Sequence, residues 1–548
     1  MSAEDLPAQV PGDSPSGWRP RVNPWLIVVA VMPATFMQVL DTSIANVAIP
    51  HIAGGLSATP EEATWVLTSY LSSNAIILPA TAWFSSVFGR KRFLLTCILL
   101  FTLSSAACGA APSLTLLVFA RILQGAGGGA LQPITLAILM ESFPRARRGT
   151  AMAVFGMGVV VAPILGPTLG GWITDNYSWR WVFYINLPVG VLAMLLVQAF
   201  IEDPPYVART RPGRTDFIGF GLMAIGLATL QIMLDRGQED DWFAATWIRW
   251  FAGISAVCLI SFIIRELSSE DPILDLRVLR NRNFAVGTLM ITMLGIILYC
   301  MIAMLPLFLQ ILMGYSALLT GLAMTPRGLG AFTANFIAGW LIGIVDSRVM
   351  IAAGFLVVGL SGLMFSHMNL EIAMSHVVWA NFLNGVGMSM IFVTLATTTM
   401  WTLRNEQMGP AACIFNLMRN IGGSLGIAGM TTFLARGAQA HQPILASHLT
   451  PYDPAYQRWL QTAQAGLASR VGEQAARPKA VGLLYGVLLQ QAQLLSFMDI
   501  FRILAILCFL GAPLAFLFQG AKARAASVHR SSSSEKQTNR QDSSVEGP

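Results

Sequence analysis

ARILQGAGGGALQPITLAIL at residues 120–139 and ANFLNGVGMSMIFVTLATTT at residues 380–399 are two versions of one segment, with Gly125 falling on Gly385, 260 residues later. The same spacing runs on into the next apolar stretch, matching Gly149 with Gly409, Ala151 with Ala411, Phe155 with Phe415 and Gly166 with Gly426. A spacing of 257 carries Thr68 onto Thr325 and Trp83 onto Trp340. Self-similarity at a fixed period means that one structural unit occurs twice.

Composition decides which solvent surrounds those units. Hydrophobic residues make up 55% of the 548-residue chain and charged residues only 11%, against about 25% charged in soluble domains. Too few charges are left to cover a water-facing surface, so lipid must be the outer solvent. Apolar runs of about 20 residues recur along the chain, each long enough as a helix to cross a hydrocarbon core of roughly 30 Å. A transmembrane barrel is excluded, because its strands show about 10 residues of strict alternation. Bounded by polar turns, the runs predict spans near 25–49, 64–87, 93–111, 114–140, 150–174, 181–201, 216–235 and 246–265, then near 284–309, 317–342, 349–367, 374–400, 409–435 and 495–519. That makes about fourteen spans. Equivalent spans run in the same direction, so the repeat is parallel: two six-helix bundles with two spans inserted between them.

The chain is therefore expected to be an all-α polytopic membrane protein. Residues 1–24 form a cytoplasmic tail, 25–201 the first bundle, 202–283 the inserted pair with its linkers, 284–519 the second bundle and 520–548 a disordered cytoplasmic tail. Segment 437–494 is a long outer loop, with Pro443, Pro451 and Pro454 followed by Gln- and Ala-rich stretches able to form helices. Loops of such length are either functional or floppy.

Basic loop residues set the orientation. Arg90, Lys91 and Arg92, then Arg145, Arg147 and Arg148, then Arg209, Arg211 and Arg214, then Arg277, Arg280 and Arg282 fall on one side. With the tails, about 22 of the 34 Lys and Arg lie there and about 8 opposite, which predicts both termini in the cytoplasm. Scattered in this way, the net charge of +6 gives no basic face for nucleic acid. The six cysteines lie inside spans with no CxxC, and the six histidines are scattered, so neither a disulfide framework nor a metal site is predicted. No HExxH occurs, and no GKS or GKT follows Gly125 to Gly129, so a membrane enzyme and an ATP-driven pump have no support. No cofactor is expected. The first span, starting near Trp25, lacks a cleavage site and is expected to stay in the protein.

Charges within spans cost about 2.5 to 3.5 kcal/mol each on insertion scales, so those that stay mark function or pairing. Asp41 lies roughly 13 Å from the outer end of span 1, and Arg121 roughly 10 to 11 Å from that of span 4. At this shared depth a nearby guanidinium favours an ionised Asp41, while burial favours a protonated one. The pair can therefore carry protons, or it can be a fixed lock between two helices. Arg327 and Arg419 lie deeper, and each can bind an anionic group or face carbonyls. Gln38, Asn46, Tyr70, Asn74, Gln132, Asn384 and Asn416 are polar residues within spans, able to face a substrate cavity or to hydrogen-bond between helices. Glycines at 125, 127, 128 and 129 and at 166, 170 and 171, with Pro167, allow close packing or a hinge.

Three stretches then carry a resemblance. LDTSIANVAIP (Leu40 to Pro50), LVFARILQG (Leu117 to Gly125) and GVVVAPILGPTLGG (Gly158 to Gly171) lie in spans 1, 4 and 5. Over roughly residues 24–519 the chain resembles the major facilitator superfamily, specifically its fourteen-span drug:proton antiporters of the EmrB and QacA type. LQIMLDRGQEDDWF (Leu230 to Phe243) and FNLMRNIGGSLG (Phe415 to Gly426) bring it nearest the EmrB sort.

The resemblance implies proton-coupled export of hydrophobic or amphipathic drugs by alternating access, in the inner membrane, with antibiotic resistance as the outcome. It puts proton coupling on Asp41 and Arg121, and an antiporter motif governing the bundle interface on Gly158, Pro163, Gly166, Pro167, Gly170 and Gly171. It also implies a periplasmic membrane-fusion adaptor of EmrA type, meeting segment 437–494, and an outer-membrane channel. The family's gate after span 2 fits at Gly89, Arg90 and Lys91, but Ala82 and Ser86 replace its usual glycine and aspartate. Asp346 and Arg348 stand at the equivalent turn of the second copy. This gate is thus expected to rest on arginines facing helix C-terminal carbonyls. Alternatives within reach of the sequence are a dedicated exporter of one metabolite, such as a siderophore or fatty acid, and a non-transporting membrane scaffold. Import by symport is disfavoured by the span 5 motif.

Overall fold

In lipid the backbone must satisfy its own hydrogen bonds, which leaves an apolar chain only helix or closed barrel. The computed structural model describes residues 20–144, 147–203, 216–269, 272–341, 344–404, 407–450 and 452–518, and these are helical with short connections. Residues 1–19 of the first predicted tail, the whole of the second, Arg145, Arg209, Arg211 and Arg214, and the side chain of Pro167 lie outside the described residues.

The first half comprises α1 (Pro24–Gly55), α2 (Pro60–Ala63), α3 (Trp65–Phe88), α4 (Arg90–Ala110), α5 (Leu114–Gly128), α6 (Leu131–Ser142), α7 (Arg148–Asn176), α8 (Trp181–Tyr184) and α9 (Asn186–Phe200). The inserted pair is α10 (Phe217–Arg236) and α11 (Thr246–Ser268). The second half runs through α12 (Arg282–Leu307), α13 (Ala317–Leu341), α14 (Ser347–Ser366), α15 (Met374–Met400), α16 (Met408–Ser447), α17 (Pro454–Val471) and α18 (Glu473–Leu514). Local chemistry sets the ends: Asn23 caps α1 by accepting the Trp25 N–H at 3.0 Å, with Pro24 in the first turn.

Twelve runs among the described residues are long and apolar enough to cross a membrane, with α5 and α6 forming one crossing and α8 and α9 another. Helices α13 and α16 occupy the places of predicted spans 10 and 13, and each carries a buried arginine, Arg327 and Arg419. With these two, the architecture is consistent with fourteen spans. Predicted span 4 is not one helix but two, interrupted at Gly129 and Ala130.

The repeat is visible in packing. In the first half α1 lies along α7, α5 packs between α3 and α4, and α9 touches α1 and α4; in the second, α12 lies along α16, α15 packs between α13 and α14, and α18 touches α12 and α14. The halves exchange equivalent contacts, α7 against α13 and α16 against α3. Register agrees to the residue. A Cβ on Gly125 would lie 2.4 Å from the Tyr70 carbonyl oxygen, and one on Gly385 would lie 1.9 Å from that of Arg327; residues 70 and 327 are themselves 257 apart. Only glycine permits helices this close.

Segment 437–494 is helical. Helix α16 continues past the predicted end of its span to Ser447, α17 follows, and α18 begins at Glu473. Meanwhile α10 rests on both α3 and α16.

Candidate functional site

Asp41 is 0% exposed and Arg121 is 0% exposed. Arg121 Nη1 donates to Asp41 Oδ2 at 2.6 Å and to Gln124 Oε1 at 2.8 Å, while its Nε donates to the Val66 carbonyl at 3.0 Å. The other carboxylate oxygen accepts from Gln124 Nε2 at 2.9 Å and from Asn186 Nδ2 at 2.8 Å. Tyr70 stacks beneath the guanidinium, with the ring centroid 4.2 Å from Arg121 Cζ. Four helices converge here, because α1, α3, α5 and α9 each place a polar residue on their inward face. A buried ion pair needs such extra hydrogen bonds for its remaining polar atoms; here hydrogen bonds reach both carboxylate oxygens and two guanidinium nitrogens, while Arg121 Nη2 has no partner among the described residues.

Gln124 and Asn186 were not among the residues expected at this site. Gln124 stands one helical turn beyond Arg121, three residues on, which is the signal that identifies it. Asn186 opens α9 in a span otherwise apolar, and its amide also donates to Ser105 Oγ at 3.0 Å.

Polar contacts lead away from the pair toward the second bundle. Gln38 Nε2 donates to the Tyr70 hydroxyl at 3.4 Å, Gln132 Nε2 donates to Gln38 Oε1 at 2.7 Å, and Arg419 Nη2 donates to Gln132 Oε1. Arg419 lies on α16 and Gln132 on α6, so this last bond joins the two bundles. Of the other expected cavity residues, Asn74 joins this chain of contacts through a side-chain hydrogen bond with Tyr70. Asn416 bonds its own helix at the Ala412 carbonyl, 2.9 Å away, Asn46 is exposed, and Asn74 is buried with its carbonyl against Gly129. Arg327 is 2% exposed and Asn384 is 1% exposed. Neither Arg327 Nη2 nor either amide atom of Asn384 has a partner among the described residues.

The motif on α7 turns its glycines toward α1. A Cβ on Gly158 would meet Met32, one on Gly166 would meet Ser43, and one on Gly170 would meet Ile44; Ser43 Oγ also donates to the Pro163 carbonyl at 2.7 Å. Helix α7 is unbroken through this stretch. Its contact with the second bundle is made through other residues: Gly156 faces Phe392, Val393 and Asn335, and Thr168 faces Gly321.

At the Arg90 turn the expectation of arginines facing carbonyls is corrected. Arg90 pairs with Glu141 at the end of α6, both buried. The Lys91 N–H donates to Asp203 Oδ1 at 2.8 Å, with Lys91 Nζ on the Gln198 carbonyl at 2.7 Å. Acidic partners thus come from neighbouring segments, where the turn's own sequence does not reveal them. Gly89 adopts φ +82°, and a Cβ there would lie 2.8 Å from Asp203 Oδ2. In the second copy Asp346 caps α14 by accepting the Arg348 N–H at 3.0 Å.

A duplicated bundle of apolar helices, with a fully buried carboxylate and guanidinium contact where four of them converge, defines a polytopic membrane transporter. The family model of the Major Facilitator Superfamily matches residues 31–427, and the chain belongs to that superfamily, in its EmrB-type branch. It is 37% identical to the multidrug export protein EmrB of Haemophilus influenzae, across 81% of this chain and 87% of that one. It is 35% identical to the fatty acid resistance protein FarB of Neisseria gonorrhoeae, across 88% and 94%. Among solved structures, the human organic anion transporter MFSD10 aligns with a TM-score of 0.55 at 12% identity, covering 89% of this chain and 100% of that one; this likeness concerns the fold.

Proposed function

We propose that the chain is the inner-membrane pump of a drug efflux system, exchanging outer protons for hydrophobic or amphipathic molecules from the cytoplasm or inner leaflet. The observation that carries this reading is the fully buried contact of Asp41 with Arg121, completed by Gln124 and Asn186. A carboxylate so placed is stable ionised only while the guanidinium stays beside it. Protonation removes the charge that holds Arg121, and the guanidinium then leans on Gln124, the Val66 carbonyl and the Tyr70 ring. Any shift of Tyr70 moves Gln38 and Gln132 and so reaches Arg419 in the other bundle. Drug would enter with Asp41 deprotonated, and once the bundles open outward an outer proton would displace it at Asp41 and be carried inward as they return.

Each proton moving down 100 mV supplies about 2.3 kcal/mol, enough for roughly a fifty-fold gradient of a neutral drug. Both termini would be cytoplasmic. The helical segment α17, with the ends of α16 and α18 that flank it, would then reach the periplasm as the docking element for a membrane-fusion adaptor leading to an outer-membrane channel.

Proteoliposomes with an imposed pH gradient test this directly. Substrate-induced proton flux is expected in the wild type and is expected to be lost in Asp41→Asn with folding retained. Unchanged proton coupling in that variant would overturn the assignment. The relative named for fatty acid resistance favours a narrower version, export of one amphipathic acid. Susceptibility profiling of a deletion strain separates the two, since a dedicated exporter protects against a single compound class.

A further inference from the structure

The two bundles share a backbone but distribute their charges differently. In the first, Arg121 Nε donates to the Val66 carbonyl at 3.0 Å; at the equivalent place in the second, Asn381 Nδ2 donates to the Ala323 carbonyl at 3.1 Å. The structural bond is kept and the guanidinium is gone. An arginine appears instead one helix away, where Arg327 takes the place of Tyr70, and Asn384 takes the place of Gln124. The acid has no counterpart. Gly166 approaches Ser43 as Gly426 approaches Ile296, so the packing register sets Leu294, itself buried, opposite Asp41.

Arg327 is consequently a buried cation with no hydrogen bond or ion pair to any described residue. Ten residues into α13, it lies about 15 Å along the helix, beyond reach of either end by snorkelling. Gly385 sits against its carbonyl, so positions 327 and 384 adjoin where α13 meets α15. The Asn384 amide there is equally without partners. Donors buried in this way call for an acceptor bearing negative charge, and a planar guanidinium suits a carboxylate best. The opposite face of α13 exposes Leu322, Leu329, Phe332 and Phe336, so the helix that carries the cation also borders lipid.

We infer that Arg327 and Asn384 form a subsite in the second bundle for the carboxylate of an amphipathic substrate, separate from the Asp41 and Arg121 pair. The inference rests on the export reading for the word substrate. Charge is thereby divided between the copies: one holds an internal acid, the other takes its acid from the molecule being carried.

The test uses the full-length protein in phosphatidylcholine nanodiscs with laurate, dodecanol and tetraphenylphosphonium as probes. Laurate is expected to bind and raise the unfolding midpoint of the wild type. Arg327→Gln is expected to weaken laurate binding at least ten-fold, which corresponds to about 1.4 kcal/mol, and to leave dodecanol and tetraphenylphosphonium binding unchanged. Its ligand-free midpoint is expected to rise, since an uncompensated buried charge is removed. Asn384→Leu keeps the cation and is expected to weaken laurate several-fold.

Wild-type laurate affinity in both folded variants overturns the proposal, as does a ligand-free Arg327→Gln that unfolds well below wild type. Abolition of laurate binding by phosphatidylglycerol in the nanodisc assigns the site to a lipid headgroup and likewise overturns it. Failure of the export reading looks different: laurate binding still depends on Arg327, but no probe crosses proteoliposomes under a pH gradient.

Discussion

Replacing Asp41 by Asn exchanges one carboxylate oxygen for an amide nitrogen and removes one charge, and the geometry says where the loss falls. An amide oxygen in the place of Oδ1 still accepts from Gln124 and Asn186. The amide nitrogen, in the place of Oδ2, would face Arg121 Nη1 at 2.6 Å, donor against donor. Arg121 keeps the Val66 carbonyl and Gln124 Oε1 as acceptors, so the loss lies at the lower end of the 3–5 kcal/mol range for a stranded buried charge, about 3 kcal/mol. A protein of ordinary stability, about 5–15 kcal/mol, survives this. Adding Arg121→Gln removes the stranded charge and is expected to bring the total loss down to about 1 kcal/mol, a coupling of roughly 2 kcal/mol or more. Unfolding equilibria of the four proteins in mixed micelles measure the cycle. The double variant should regain stability yet show no pH-driven transport, which separates a proton carrier from a structural lock. Additive losses, or an Asp41→Asn variant within experimental error of wild type, would refute the reasoning.

Gly385→Ala drives a methyl to 1.9 Å from the Arg327 carbonyl and is expected to destabilise by about 1–3 kcal/mol, measured in the same unfolding assay. Gly89→Ala meets both φ +82° and Asp203; a loss of about 1–2 kcal/mol is expected, with the Lys91 cap disturbed in parallel. Gln132→Ala removes the acceptor of Arg419 and should leave substrate binding intact but slow transport, read as a fall in turnover at constant affinity. Beyond the membrane, the Arg265 hydrogen bond holds the Asp216 carboxyl below its usual range. This contribution is full above the ordinary aspartate pKa of about 4 and fades as pH falls through the folded value, so Asp216→Asn is expected to flatten the acid limb of a stability-versus-pH curve.

The fold was legible because lipid leaves so few options: length, apolarity and repetition gave the helices, and the offset of 260 gave the bundles. Asp41 and Arg121 were legible for the same reason, since an unexplained charge at depth is costly. What escaped were partners chosen by three-dimensional approach. Gln124, Asn186, Glu141 and Asp203 are ordinary polar residues until the helices meet. The break at Gly129 escaped too, because glycine within an apolar run reads equally as tight packing. Conversely the Pro-containing segment after residue 437 reads as loop, yet Gln and Ala are good helix formers and the segment is helical.

The inserted helix α10 has a mechanical consequence. At one end, it and the connection that follows grip both bundles: Arg236 reaches Thr64 at 2.8 Å, Ser424 reaches Gln231 at 2.8 Å, and Trp242, between α10 and α11, reaches Thr432 at 2.8 Å. Asp241 and Arg436 beside them are mostly exposed, which puts the grip near the wet rim of the membrane. Water there can take over a hydrogen bond as it parts, so each costs only about 0.5–1.5 kcal/mol net to release. The same three bonds at mid-depth would weld the bundles together. Set where they are, they tie the bundles together with bonds cheap enough to part.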